Sequence, residues 1–274
     1  MAKRFELDKY KEEILDLYVN KKKSCKYIAE QFEFSLSGVY DALKRWNICT
    51  RNLSDSHKIY TFNEEYFKKI DSEDKAYWLG FIYADGYITN NNIGIALSII
   101  DKQHLVKFKE SIEATYPINS YISTSEYCKS VNYCRILLRS IKAVHDIRDK
   151  GVLNNKSLIL NYPNEFILAP KYYRHFIRGY FDGDGSLILS KNSINFKICG
   201  TREFLTKLIE IFNQVSDYEF KNKLFKRKND NKNNYYLSFG GKNKTLSIMQ
   251  YLYDQSNIYL DRKYEKFIIL KNMK

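Results

Sequence analysis

Two short stretches of the chain share an unusual pattern, in which an apolar run leads into an acid followed by glycine. They read YWLGFIYADGYI at residues 77–88 and FIRGYFDGDGSL at residues 176–187. When the two are aligned, Gly80 matches Gly179 and Asp85 matches Asp184. Hard divalent cations such as Mg²⁺ prefer carboxylate and other oxygen ligands. Asp85 and Asp184 are therefore candidate metal ligands, and a metal ion near a phosphodiester can activate water and stabilise the leaving oxygen.

The apolar runs before the acids predict how the two carboxylates are brought together. Each run is apolar on nearly every side, which is typical of a buried helix. A glycine inside a helix costs about 1 kcal/mol relative to alanine, and close packing of two backbones at Gly80 and Gly179 would account for that cost. The two helices are then expected to pack on each other about a pseudo-twofold axis, with Asp85 and Asp184 side by side at their C-termini. The neighbouring acid and the helix dipoles disfavour two charges there, so a cation is expected between them.

The order of elements after each motif helix indicates an internal duplication. A hairpin, an amphipathic helix, two further strands and another helix follow each motif, which gives αββαββα twice. We therefore predict an α+β fold with antiparallel sheets and two repeats, residues 75–165 and 166–274. Within the second repeat, FKNKLFKRK at residues 220–228 is predicted to be a strand.

The first 50 residues predict a separate, small all-α domain. Residues 24–46 predict two short helices around a tight turn, a pattern that resembles the helix-turn-helix of resolvase-like DNA-binding domains, although Glu33 stands where a glycine often makes the turn. The alternative is a plain three-helix bundle for protein contacts. Residues 51–74 are polar, without a clear period, and are predicted to be a linker. The side chains expected to face DNA from the second short helix are Ser35, Ser37, Tyr40, Lys44 and Arg45.

The charge of the chain favours a polyanionic partner, most often nucleic acid. The net charge is +13, and residues 171–274 alone hold 20 Lys and Arg against 10 Asp and Glu. Much of that charge lies on one predicted hairpin, and the cationic side chains expected to contact DNA in the second repeat are Lys197, Lys221, Lys223, Lys226, Arg227 and Lys228.

Cysteine content and apolar runs suggest where the protein works. The five cysteines are odd in number and include no CxxC pair, which argues against a disulfide framework or a zinc module. We expect an intracellular, reducing compartment. The N-terminus lacks the apolar core of a signal peptide, and the absence of any apolar run approaching 18 residues predicts no membrane span.

The two motifs resemble those of the LAGLIDADG homing endonucleases, in the single-chain form with two motifs. The copies read WLGFIYADG and IRGYFDGDG, and the resemblance covers about residues 75–274. It implies a duplicated αββαββα fold with saddle-shaped sheets over double-stranded DNA. It also implies that Asp85 and Asp184, with the main-chain neighbours Ala84 and Gly183, bind the catalytic Mg²⁺ or another divalent cation such as Mn²⁺. The earlier acid of the pattern is Tyr83 in one copy and Asp182 in the other, and this position does not carry catalysis.

Members of this family also place a lysine near each active site, which here implies Lys156 and Lys263. Asp101 stands where the family often has a side chain that orients water, and its counterpart is Gly200. The implied activity is cleavage of both strands of a long DNA site by a monomer that needs no protein partner, leaving 5′-phosphates and short 3′ overhangs. The alternative is a relative without cleavage activity that acts as an RNA splicing maturase or a DNA-binding regulator. Such relatives often lose the metal-binding acids, and both acids are present here.

Overall fold

The computed structural model describes residues 2–21, 23–50, 59–125, 128–190, 193–226 and 232–273. The chain divides into two compact units, an N-terminal unit (Met1–Ile59) and a C-terminal unit (Tyr60–Lys274). The residues 51–58 of the predicted linker lie outside the described residues.

The described residues of the N-terminal unit form helices and turns. Helical turns over Ala2–Tyr10 lead into α1 (Lys11–Leu15) and the turn Asp16–Asn20, followed by α2 (Cys25–Gln31) and α3 (Leu36–Arg45). Ser35 caps α3, because its hydroxyl accepts the backbone N–H of Gly38, which satisfies one of the free donors at a helix start. Between α2 and α3, Glu33 adopts a φ of 55°, in the left-handed region that glycine favours. The core of the unit consists of apolar side chains from all of these helices, among them Ile14, Ile28, Val39 and Leu43.

The C-terminal unit contains seven helices and seven strands within its described residues. The helices are α4 (Glu73–Ala84), α5 (Lys102–Ser111), α6 (Ile141–Asp149), α7 (Tyr173–Asp184), α8 (Arg202–Val215), α9 (Lys242–Tyr253) and α10 (Asp261–Asn272). The strands are β1 (Gly86–Ile88), β2 (Asn92–Ser98), β3 (Asn119–Ser125), β4 (Cys128–Arg139), β5 (Gly185–Ser190), β6 (Ser193–Gly200) and β7 (Tyr235–Gly240). The first repeat therefore has the predicted order αββαββα.

Two antiparallel sheets follow the two motif helices. The first has the strand order β1-β2-β4-β3, and the second has the order β5-β6-β7. Side chains alternate between the two faces along each strand. The buried face includes Ile95 and Ile136 in the first sheet and Phe196 and Leu237 in the second, and the opposite face meets solvent.

The motif helices α4 and α7 pack against each other at their glycines. A Cβ atom added to Gly80 would lie 2.1 Å from the carbonyl oxygen of Phe176, and one added to Gly179 would lie 2.0 Å from that of Tyr77. Neither position has room for a side chain. The interpretation that these glycines allow close backbone packing is therefore confirmed.

Three details of the prediction differ from the structure. The strand predicted at residues 220–228 is absent from the described residues 220–226, where Phe225 pairs with Tyr236 in an isolated bridge. The predicted linker is too long, because Phe62, Phe67 and Ile70 pack into the core of the C-terminal unit. Finally, α10 was not predicted, and Lys263 lies in its first turn.

Among the helices of the described residues, none has the length and apolar character of a membrane span.

Candidate active site

The acids of the two motifs lie at the C-terminal ends of the packed helices. Asp85 directly follows α4, and Asp184 is the last residue of α7. A Cβ atom added to Gly183 would lie 3.2 Å from Oδ2 of Asp85, so the end of α7 adjoins the first acid. Both carboxylates reach solvent, although protein atoms crowd around them. The helix packing thus brings together two acids that lie 99 residues apart in sequence.

Crowding and like charge disfavour ionisation of both acids. The protein around Asp85 displaces water and, together with the nearby Asp184, raises its pKa to about 6. Burial also raises the pKa of Asp184, while Lys156, Lys263 and the hydroxyl of Tyr180 act in the opposite direction. The pair therefore has the electrostatics expected of a site that gains from a bound cation.

The two predicted lysines contact the ends of the motif helices. Nζ of Lys156 donates to the carbonyl oxygen of Ala84 at 3.1 Å and to that of Gly86. Nζ of Lys263 donates to the carbonyl oxygens of Phe181 at 2.5 Å and Asp182 at 2.6 Å. The last carbonyls of a helix lack partners within the helix, and a cation near them is favourable. Both lysines thus stabilise the backbone that carries the acids.

The same lysines also lie in the field of the acids. Among the lysines, Lys263 has the larger effect on the pKa of Asp85, whereas Lys156 has the larger effect on Asp184. Both lysines therefore favour the charged form of both acids. Burial lowers the pKa of Lys263 to about 8 and also lowers that of Lys156.

The two halves of the site differ at one aligned position, where the first repeat has the acid Asp101 and the second has Gly200. Nε of Arg262 donates to both carboxylate oxygens of Asp101, at 3.0 and 3.1 Å, and Asp101 is buried in the short 3₁₀ turn before α5. The positive charge of Arg262 also acts to lower the pKa of Asp85. In the second repeat, Gly200 lines a cavity of about 290 Å³ together with Asp184 and Tyr235.

The solvent-facing sides of the sheets carry cations seated on aromatic rings. On β6, Nζ of Lys197 lies 4.0 Å from the ring centre of Tyr236. In the first sheet, the guanidinium of Arg135 lies 5.0 Å from the ring of Tyr121, and the ring of Tyr133 stacks on Tyr121 at 5.2 Å. Cation–π contacts of this kind restrict long side chains, so both sheets present partly ordered positive charge.

The remaining predicted DNA contacts have mixed positions. Lys221, Lys223 and Lys226 are exposed on the segment before β7, and Arg227 and Lys228 lie outside the described residues. In the N-terminal unit, Ser37, Tyr40 and Lys44 are exposed on one face of α3, beside the capping residue Ser35. Arg45 is also engaged within the unit, because its Nη2 donates to Asp8 at 2.9 Å, and its contact with DNA stays a prediction. Asp8 also accepts the indole N–H of Trp46, and Arg45 therefore ties α3 to the first helical turns.

Sequence reasoning missed a buried polar network beside the acids. Asp182 is 1% exposed, and its carboxylate accepts hydrogen bonds from the hydroxyls of Tyr77, at 2.6 Å, and Tyr253. Arg178, also 1% exposed, donates to the carbonyl oxygens of Leu252 and Ile258 at 2.9 and 2.8 Å. One signal was available, since Arg174, Arg178 and Asp182 recur every four residues on a largely apolar helix.

The donor set fits a divalent cation of the magnesium type. Across the described residues, no group of three or more His, Cys, Asp or Glu side chains could hold a metal ion, so the protein offers two carboxylates and nearby main-chain oxygens. Mg²⁺ commonly uses one or two carboxylates and completes its ligand shell with water and substrate phosphates. The crowded, mutually repelling pair Asp85 and Asp184 suits that arrangement.

Comparisons with known proteins support the fold. Neither a protein-family model nor a curated protein sequence matches the chain. The homing endonuclease I-WcaI, solved with its DNA recognition sequence, is similar with a TM-score of 0.50 and 15% identity, over 73% of this chain and 90% of that one. I-SmaMI, solved with uncleaved target DNA in the presence of calcium ions, gives a TM-score of 0.42 at 12% identity over 72% and 91% of the chains. The N-terminal LAGLIDADG domain of WhiA gives 0.43 at 14% identity over 79% and 97%. The similarity to I-WcaI, together with the two antiparallel sheets, shows that the C-terminal unit has the duplicated LAGLIDADG endonuclease fold.

The raised pKa of Asp85 predicts how the stability of the metal-free protein depends on pH. An acid whose folded-state pKa is about 6 against a usual value of 3.8 destabilises the fold as pH rises through that window. We expect Asp85→Asn to melt above the wild type by a margin that grows from pH 4 to 6 and is then constant. Solvent screens part of the repulsion, so we expect a margin of no more than about 2–4 °C.

Melting curves in a chelator between pH 4 and 8 measure this margin. Added Mg²⁺ is expected to raise the melting temperature of the wild type more than that of Asp85→Asn, because a ligand of the folded state stabilises it. A margin that is the same at pH 4 and pH 7 would contradict the assignment.

Proposed function

We propose that the protein is a site-specific, metal-dependent endonuclease that cleaves both strands of a DNA duplex. The observation that carries this proposal is the pair Asp85 and Asp184, placed side by side at the ends of two packed helices. Two sheets with positively charged, solvent-facing sides accompany the pair. The shared fold alone is insufficient, because a fold supports many functions and the site must supply the argument.

Each residue of the site has a proposed role. Asp85 and Asp184 would hold Mg²⁺ or Mn²⁺, with the main chain at Ala84 and Gly183 nearby. Divalent cations at such sites activate water and stabilise charge on a phosphodiester. Lys156 and Lys263 hold the helix ends and add positive charge beside the scissile phosphates, and Asp101 would orient water. One break in each strand leaves a 5′-phosphate on each product.

The DNA interface is proposed to extend over the solvent-facing sides of both sheets. Phosphate contacts from lysines and arginines would position the duplex, and side chains on the strands would read the bases. The N-terminal unit is proposed to be a DNA-binding helix-turn-helix, with Ser37, Tyr40 and Lys44 on the exposed face of α3. It would raise affinity by effective concentration. A single chain carries both motifs, so we propose a monomer that acts inside the cell, where thiols remain reduced.

The test is incubation of the full chain with a randomised duplex library in Mg²⁺, in Mn²⁺ and in chelator, followed by sequencing of the new DNA ends. The proposal predicts ends at one recurrent sequence that require a divalent cation. DNA bound at one sequence but left intact by the folded protein would indicate a regulator. Tighter binding of structured RNA than of DNA would indicate a splicing maturase.

Removal of a sheet cation is expected to weaken DNA binding in a salt-dependent manner. Lys197→Ala removes a cation held on Tyr236, and a phosphate contact contributes about one charge to the slope of log affinity against log salt. We expect weaker binding at 100 mM salt and a slope smaller by about one. The matched control is Lys207→Ala, on α8, where Lys207 pairs with Glu210. Equal effects of the two substitutions would contradict the assignment of the sheet face to DNA.

A further inference from the structure

A stripe of polar side chains on α7 holds the loop that leads to Lys263. Arg174, Arg178 and Asp182 are spaced four apart and lie on one face of the helix. Arg174 donates to the carbonyl oxygen of Asp254, and Arg178 donates to those of Ile258, in the same loop, and Leu252, in the last turn of α9. The loop joins α9 to α10, and both arginines thus fix its backbone.

Asp182 makes the last contact of this stripe, directly before α10. Its Oδ2 accepts the backbone N–H of Leu260 at 2.8 Å and the hydroxyl of Tyr77 at 2.6 Å, while Oδ1 accepts the hydroxyl of Tyr253. Leu260 is the N-cap residue of α10. A buried carboxylate with several donors has a fixed position, so the start of α10 is held against the C-terminal turn of α7.

This contact lies within one helical turn of Lys263. Lys263 is three residues after Leu260, in the first turn of α10, and is 3% exposed. Its Nζ reaches the carbonyl oxygens of Phe181 and Asp182. The side chain of Asp182 therefore holds the backbone that carries the lysine, and its carbonyl oxygen receives the lysine.

The equivalent residue of the first repeat also contacts the backbone that leads to a lysine of the site, with different chemistry. Tyr83 aligns with Asp182, and its hydroxyl donates to the carbonyl oxygen of Lys150. Lys150 is the C-cap residue of α6, and the loop that leads to Lys156 begins there. A Cβ atom added to Gly151 would lie 2.3 Å from the hydroxyl oxygen of Tyr83, so this loop packs closely on Tyr83.

We propose that the sixth residue of each nine-residue motif, Tyr83 in the first and Asp182 in the second, is a positioning residue for the active-site lysine of its own repeat. Asp182 acts by accepting a backbone N–H, and Tyr83 acts by donating to a backbone carbonyl. The inference rests on the proposed nuclease function for its effect on cleavage, and it explains how one position can tolerate both residue types. Small displacements of a catalytic group cost large factors in rate.

The first experiment measures the accessibility of the two lysine amines to a reagent, without DNA. Brief acylation of the folded full chain, followed by mass spectrometry, gives the labelled fraction at Lys156 and Lys263. We expect Tyr83→Phe, which removes only a hydroxyl, to raise labelling at Lys156 and leave Lys263 unchanged. Asp182→Ala is expected to raise labelling at Lys263 and leave Lys156 unchanged. Asp182→Asn keeps an oxygen that can accept the N–H of Leu260, so labelling is expected to stay close to that of the wild type.

The second experiment follows cleavage of each strand separately. Each lysine holds the end of one motif helix, so Asp182→Ala is expected to slow one strand more than the other, by about 10- to 100-fold, and Tyr83→Phe is expected to show the opposite strand preference. Asp182→Asn is expected to restore most of the rate. A general loss of stability would slow both strands equally and would leave no such distinction.

The outcomes separate this inference from the proposed function. Local changes in labelling together with slowing of opposite strands would support both. If the variants show local changes in labelling but the wild type cuts no DNA, the positioning role is supported and the nuclease function is refuted. Labelling that rises equally at both lysines in Tyr83→Phe, or does not change, would overturn the inference whatever the cleavage result.

Discussion

Asp184→Asn is expected to abolish DNA cleavage while leaving DNA binding within a few-fold of the wild type. The asparagine keeps the size of the side chain but removes the charge and one strong oxygen ligand, so the site loses its hold on a divalent cation. Loss of one well-placed electrostatic group typically costs about 10²–10³-fold in rate, and loss of a metal ligand is expected to cost at least the upper end of this range. Single-turnover cleavage and a gel-shift titration measure the two properties.

The control for this prediction is Asp217→Asn, at an exposed acid in the turn after α8. It makes the same chemical change away from the packed helix ends, and wild-type cleavage is expected. Cleavage by Asp184→Asn at the wild-type rate would show that this carboxylate does not serve the reaction. Loss of binding together with cleavage would instead point to a misfolded variant, which a melting curve identifies.

Gly179→Ala is expected to unfold the C-terminal unit or to destabilise it by at least about 3 kcal/mol. The new Cβ would lie 2.0 Å from a backbone oxygen of α4, and a backbone atom cannot move away as the end of a flexible side chain can. The two helices must separate, which opens the core and draws Asp184 away from Asp85. Denaturant unfolding of the purified variant, or its failure to accumulate as folded protein, measures the effect.

Gly38→Ala is the matched control, because it also places a methyl group within a helix. The atom nearest to the new Cβ there is the hydroxyl of Ser35 at 3.0 Å, which needs to move by only a few tenths of an ångström and can keep its capping hydrogen bond, and alanine favours helix by about 1 kcal/mol. We expect near-normal stability. Similar stability of Gly179→Ala and the wild type would contradict the close packing of the motif helices.

The sequence alone predicts the centre of the fold well, because local pattern and packing agree there. Apolar runs with an interior glycine at Gly80 and Gly179 predicted both the buried helices and their contact. The pairing of Asp85 with Asp184 followed from that contact.

Features that depend on distant partners could not be predicted in this way. The ion pair of Arg45 is one such feature, because its partner Asp8 lies 37 residues away in sequence. Phe62, Tyr66, Phe67 and Ile70 stand at helix-like spacing in a polar stretch, but that spacing does not show that they complete a core built by other elements. The importance of Asp182 depends on the N–H of Leu260, 78 residues away, and this contact is visible only in the structure.

The measurement that tests the central claim most directly is nucleotide-resolution mapping of both strands after wild-type protein, Asp85→Asn and Asp184→Asn act on the recovered target with Mg²⁺. The nuclease account predicts one break in each strand at a fixed stagger, with a 5′-phosphate at each break, for the wild type only. Intact strands after prolonged incubation of folded, DNA-bound wild type with Mg²⁺ or Mn²⁺ would contradict it, and would leave a DNA-binding protein that retains the two acids without cutting.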